Sequence, residues 1–90
     1  MSPASNAGYS AVADQQLNDL EASNEPRLFD AVVATCESIL EQPGVARRRS
    51  AAITTPQGIV FRTAVTGFPD TKVFWTSDGP RIEAVFPYRT

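Results

Sequence analysis

The sequence predicts an α+β domain, with an N-terminal helical hairpin packed on a three- to four-stranded antiparallel sheet. Three observations carry that expectation. Apolar residues recur at helical spacing as far as Leu40. After Arg47-Arg48-Arg49 they become β-branched and aromatic, in short runs. The gaps between those runs hold Gly67, Pro69 and Asp70, and then Ser77-Asp78-Gly79-Pro80, which are turn residues suited to hairpins.

Residues 1–8 are small and polar and read as a flexible leader. Residues 9–90 read as a single domain, since a chain of 90 residues is too short for two cores. In residues 10–22, Ala13, Leu17 and Leu20 fall on one helical face, with Ser10 as N-cap. Residues 9–12 read equally as a short strand leading into that helix. Ser23-Asn24-Glu25 breaks the pattern, and Pro26 suits the first turn of a second helix. Phe29, Val32, Val33, Cys36, Ile39 and Leu40 then trace a face through about three turns, and Pro43-Gly44 stops it. Strands follow at 59–65, 73–76 and 82–86, with a shorter one at 51–54 turning through Pro56-Gln57-Gly58. Phe29, Val33, Cys36, Leu40, Phe61, Val73, Trp75 and Ala84 are expected in the core.

Composition excludes several chemistries. The chain has no histidine and one cysteine, Cys36. Disulfide scaffolds, Cys/His zinc sites, Ser-His-Asp triads and Cys-His nucleophiles are all ruled out. A lone thiol suits a reducing cytoplasm. No apolar run approaches the ~20 residues of a membrane helix, and the N-terminus lacks the basic-then-apolar order of a signal peptide. The net charge of −2 argues against a protein that simply coats nucleic acid. The charge is segregated, however. Residues 1–41 carry seven acids and one base, net −6, while residues 42–90 carry seven bases and three acids, net +4. Anion binding is therefore expected in the second half, unless this is ordinary solvated charge. Arg47, Arg48 and Arg49 suit phosphate or acidic-peptide contacts, and equally a helix C-terminus, where cations meet the macrodipole. Cys36 and Trp75 read as core residues.

Four local patterns carry a resemblance across roughly residues 9–89. Tyr9-Ser10-Ala11-Val12 through Leu17-Asn18-Asp19-Leu20 looks like an opening strand and an A-x-x-x-L-x-x-L helix. Ile39-Leu40-Glu41-Gln42-Pro43-Gly44 is similar to an L-x-x-x-P helix exit. Gly58-Ile59-Val60-Phe61-Arg62 looks like a G-L-Y-R-L strand, and Lys72-Val73-Phe74-Trp75 like a Y-R-V-I-Y strand. In this order the patterns resemble the RelE/ParE superfamily of bacterial type II toxin–antitoxin toxins.

The resemblance implies a cytoplasmic toxin neutralised by a protein antitoxin, with growth inhibition as its effect. One branch of the family comprises ribosome-dependent mRNA endoribonucleases and the other inhibitors of DNA gyrase; a non-toxic interaction module of the same fold is a third reading. In the nuclease branch a ribose 2′-OH attacks the adjacent phosphate without a metal or other cofactor. That reaction needs a proton acceptor, cations for the phosphorane charge and an acid for the 5′ oxygen. By resemblance Arg62, Lys72, Tyr88 and Arg89 are the catalytic candidates, and Arg47, Arg48 and Arg49 the RNA-binding ones. Where many nuclease members carry a histidine near the last strand, this chain has Pro87-Tyr88. Strand alternation adds an expectation of its own. If Ile59, Phe61, Val65, Val73 and Trp75 face the helices, Arg62 and Lys72 emerge together on the open face of the sheet.

Overall fold

The computed structural model describes residues 8–77 and 79–86. Its elements are α1 (Ala11–Ala22), α2 (Pro26–Glu41), α3 (Pro43–Arg48), β1 (Ala51–Thr55), β2 (Gly58–Val65), β3 (Phe68–Thr76) and β4 (Arg81–Phe86). The four strands form an antiparallel meander in the order β1-β2-β3-β4, and α1 and α2 lie on one face of it. The fold class is therefore α+β, with a third helix beyond the expected hairpin.

Ser10 caps α1 as expected. Its hydroxyl accepts the Ala13 amide at 3.0 Å and donates to the Glu83 carbonyl at 2.6 Å. Both readings of residues 9–12 thus hold in part. The helix begins at Ala11, and Tyr9 makes a single parallel bridge to Ile82. Asn24, at φ 69°, turns the chain into α2, which Pro26 opens.

The buried stripe of α2 corrects the expected face. Leu28, Val32, Cys36 and Ile39 are buried, whereas Phe29 and Leu40 are half-buried flanks and Val33 is only partly covered. A helix lying flat on a sheet buries a narrow stripe. The two large residues beside that stripe therefore end at its margins.

Pro43 ends α2 but does not end helical structure. Proline lacks an amide and fits the first helical position, so Pro43 opens α3 directly. Residues 47–49 accordingly finish a helix instead of forming a free basic segment.

Trp75, Val73, Phe61 and Val65 are buried against the helices, with Phe61 and Trp75 rings 5.0 Å apart. Ile59 lies on the same side of β2 but is 54% exposed, because the helices do not reach that end of the sheet. Ala84 is half-buried instead of core. A bulge between Phe74 and Trp75 sets Ala84 opposite Phe74 and turns Ile82 and Val85 inward.

A chain of hydrogen bonds crosses the layers. The Trp75 indole N–H donates to the Thr63 hydroxyl at 2.9 Å. Thr63 and Ser50 hydroxyls are 2.6 Å apart, and Ser50 donates to the Ala46 carbonyl at 2.6 Å. Since the Ser50 proton is committed to Ala46, Thr63 must donate to Ser50. The relay runs one way, from β3 through β2 to α3. Thr63→Val keeps the shape but leaves the fully buried indole donor without an acceptor, at a cost of about 1–3 kcal/mol. Thr63→Ser restores the bonds. Urea melts should show the Val variant well below wild type and the Ser variant close to it; equal midpoints would remove the relay from the account of stability.

Cys36 is fully buried, and that burial, with Glu37 nearby, pushes its thiol up to about 12 from 9.0. Partial burial likewise pushes Tyr9 up to about 12 from 10.0. Both groups are neutral in the fold and lose protons more readily when unfolded. Their contribution is complete below pH 9 and declines as pH rises toward 12. Urea midpoints should fall steadily across that window, and less steeply in Cys36→Ala.

Candidate functional site

The face of the sheet opposite the helices carries the cations that strand alternation placed there. Arg62 stands across from Ala51 on β1 and from Phe74 on β3. Lys72 stands across from Ala64 on β2. Arg62 and Lys72 are therefore diagonal neighbours on one face, a placement that separates Cβ atoms by about 7–8 Å. Both side chains are long enough to reach a group held between them.

Their surroundings differ. Arg62 is exposed. Lys72 is half-buried, and its ammonium donates to the Pro69 carbonyl, which draws it toward the β2–β3 end of the face. An ammonium has three donors, so two remain. Among the described residues, the ion pair present is Arg81–Glu83, at 2.9 Å. Arg81 is thereby neutralised in place, and Arg62 and Lys72 keep their charge for another anion. Half-buried Ile53, Val60 and Phe74 share the face with them and give it an apolar floor.

The other candidates lie elsewhere. Arg47 and Arg48 occupy the last turn of α3, Arg49 caps it, and all three are exposed. Their position complements the carbonyl end of the helix. Tyr88 and Arg89 lie outside the described residues. Of the four catalytic candidates, the structure brings Arg62 and Lys72 together.

A groove of about 460 Å³ between α2, α3 and β2 escapes the sequence reading. Ala31, Ala34, Thr35 and Ser38 of α2 form one wall, with Arg49 and Ala64 opposite. The signal for it is the recurrence of small residues at helical spacing, on the face of α2 away from the large apolar side chains. Register explains the opening. β1 begins at Ala51 opposite Arg62, so the rest of β2 pairs with β3 alone and has no strand on its other side.

Among the described residues, no group of three or more Cys, Asp or Glu side chains is placed to hold a metal. No described helix is long and apolar enough to cross a membrane. Compared with known protein families, with curated proteins and with solved structures, the chain matches none.

Proposed function

We propose that this chain is the toxin of a type II toxin–antitoxin pair, a RelE-like, ribosome-dependent mRNA endoribonuclease neutralised by a protein antitoxin. The observation that carries this reading is the diagonal placement of Arg62 and Lys72 on the face of the meander opposite the helices. The order of a helical pair followed by a meander supports it, as does the pairing of Tyr9 with Ile82, where the resemblance expects an opening strand.

In this reading the scissile phosphate sits between the guanidinium and the ammonium. Attack by the 2′-OH builds negative charge on the phosphorane oxygens, and the two cations stabilise that charge as it develops. Removing one such preorganised donor costs about 10²–10³ in rate. By the resemblance Arg89 adds a third cation, and Tyr88 handles the proton or stacks on a base. The antitoxin binds across the sheet or along the helical pair; if it covers this face, its contacting segment is acidic and its binding weakens with salt.

Induction in a bacterial host tests the reading. The wild-type chain should arrest growth and cleave cellular mRNA, read by primer extension. Arg62→Ala and Lys72→Ala should relieve both effects, Arg62→Ala with little change in melting temperature, since an exposed charge contributes little to folding. Arg62→Lys should lose more than its unchanged charge implies if the phosphate contact is bidentate. Undiminished toxicity in an Arg62/Lys72/Arg89 triple alanine variant would sink the catalytic proposal. Arrest with lost DNA supercoiling and intact mRNA would point to gyrase, and no arrest at all to an interaction module.

A further inference from the structure

We propose that β1 is a homodimerisation strand. Two copies pair their β1 edges antiparallel about a two-fold axis at Ile53, joining two four-stranded sheets into one continuous sheet. This inference is independent of the nuclease reading.

The fold treats its two sheet edges differently. On β4 four backbone groups of the outer side are taken. The Ile82 amide donates to the Gly8 carbonyl and the Ile82 carbonyl accepts from the Ser10 amide, both at 2.8 Å. The Glu83 carbonyl accepts from the Ser10 hydroxyl, and the Val85 amide donates to Gln16 Oε1 at 2.7 Å. On β1, among the described residues, no strand, loop or side chain bonds the outer edge. Sheet edges that must stay single are commonly broken by a charge, a proline or a bulge. Ala51-Ala52-Ile53-Thr54-Thr55 has none of the three, and its register with β2 is unbroken.

The geometry of that edge selects a second copy of the same strand. The Pro56-Gln57 turn makes Thr55 and Gly58 a hydrogen-bonded pair, and the alternation makes Ile53/Val60 and Ala51/Arg62 bonded pairs too. Ala52 and Thr54 therefore direct their amides and carbonyls away from β2. An antiparallel copy centred on Ile53 sets Ala52 against Thr54 of the second copy, and Thr54 against its Ala52. All the outward groups of both residues are then satisfied. A slip of one residue sets them against groups that point away.

Side chains and charges fit the same axis. Ile53 meets its own copy in a non-hydrogen-bonded pair, where side chains approach most closely. Val60, Ile53 and their copies then form one apolar row on the open face. On the other face the exposed Ile59 joins a row through Thr54 and Ala52 of the second copy to its Phe61. The strand carries no charge, so self-pairing brings no like charges together. Each Arg49 lies about 13 Å along the strand from the axis, and the pair is separated by well over the ~8–10 Å screening length. Five short residues per copy make a small interface, so dissociation is expected on the order of 10–100 µM.

Sedimentation equilibrium of the full chain between ~1 µM and ~1 mM should show the mass rising from 9.7 kDa to twice that value. Thr54→Pro removes an amide that makes no bond to β2, so it should leave melting unchanged and weaken the dimer at least ~tenfold. Ile53→Lys, which sets two ammonium groups at the axis, should do the same. Ile53→Cys should form an intermolecular disulfide on mild oxidation, because its Cα atoms would lie within bridging distance. Ala51→Cys, opposite Thr55 of the second copy, should not, and Cys36 is fully buried and does not compete. If Thr54→Pro fails to fold, the two cysteine variants decide the question. A chain that remains at 9.7 kDa at the highest concentration overturns the proposal. So does a dimer that survives Ile53→Lys, or one that crosslinks equally through residues 51 and 53.

Discussion

The indole nitrogen of Trp75 lies fully buried near the C-terminal end of β3, and a donor so placed must find an acceptor inside the protein. Thr63 supplies it, Thr63 must then pass a proton to Ser50, and Ser50 passes one to the Ala46 carbonyl. The requirement of one side chain is met three residues away, at the C-terminal end of α3. That end is thereby tied to β2, and the turn from Arg49 into β1 is set at the same point. The position of β1 along β2, the groove beside it and the exposure of Arg47, Arg48 and Arg49 all depend on this tie. An apolar residue of similar size at position 75 would fill the core and remove the reason for the arrangement.

At the opposite edge a second polar residue joins two layers. Ser10 accepts from the first turn of α1 and donates to β4, so the cap of the helix and the edge of the sheet share one hydroxyl. The bulge on β4 brings Glu83 and Ala84 opposite the Phe74/Trp75 step and frees the Glu83 carbonyl for that contact. Gln16, two turns into α1, takes the Val85 amide. Helix α1 thus closes β4 with hydrogen bonds as well as apolar packing. Among the described residues, no helix bonds to the edge of β1 in this way. Among them the sheet is closed along β4 and open along β1.

Helices with a start signal were legible in the sequence. Ser10 and Pro26 mark α1 and α2 because the first turn of a helix has unpaired amides that a hydroxyl or a proline accommodates. The strands were legible as elements because their residues are β-branched or aromatic, and Arg62 and Lys72 were placed on one face by alternation alone. Alternation needs no knowledge of the partner layer. What depends on that layer was not legible. Phe29 and Leu28 differ by one position, and only the line of contact with β3 decides which is buried. Pro43 reads as a stop or as a start, and the difference lies in whether Ser50 and Thr63 await the next turn. The exposure of Ile59 follows from how far α2 extends, which periodicity does not encode. The groove beside α2 was missed because its walls are alanine, serine and threonine, residues without a strong hydropathy signal. Of the candidate site, the pairing of Arg62 with Lys72 could be read from the chain; the tie of Lys72 to Pro69 could not.

Charge segregation along the chain becomes charge segregation in space. All seven acids of the first half lie on α1, α2 or the turn between them: Asp14, Asp19, Glu21, Glu25, Asp30, Glu37 and Glu41. Arg62 and Lys72 lie on the face of the sheet those helices leave bare. A thin sheet separates the two layers, so an approaching polyanion meets repulsion over α1 and α2 and attraction at Arg62 and Lys72. The net charge of −2 hides this polarity, because it sums two faces that a ligand meets one at a time. An acidic protein can therefore present a cationic surface, and the low isoelectric point is no argument against a phosphate at Arg62 and Lys72. The same polarity sets how such a ligand would lie. It must approach with its charged edge toward the sheet, over the apolar floor of Ile53, Val60 and Phe74.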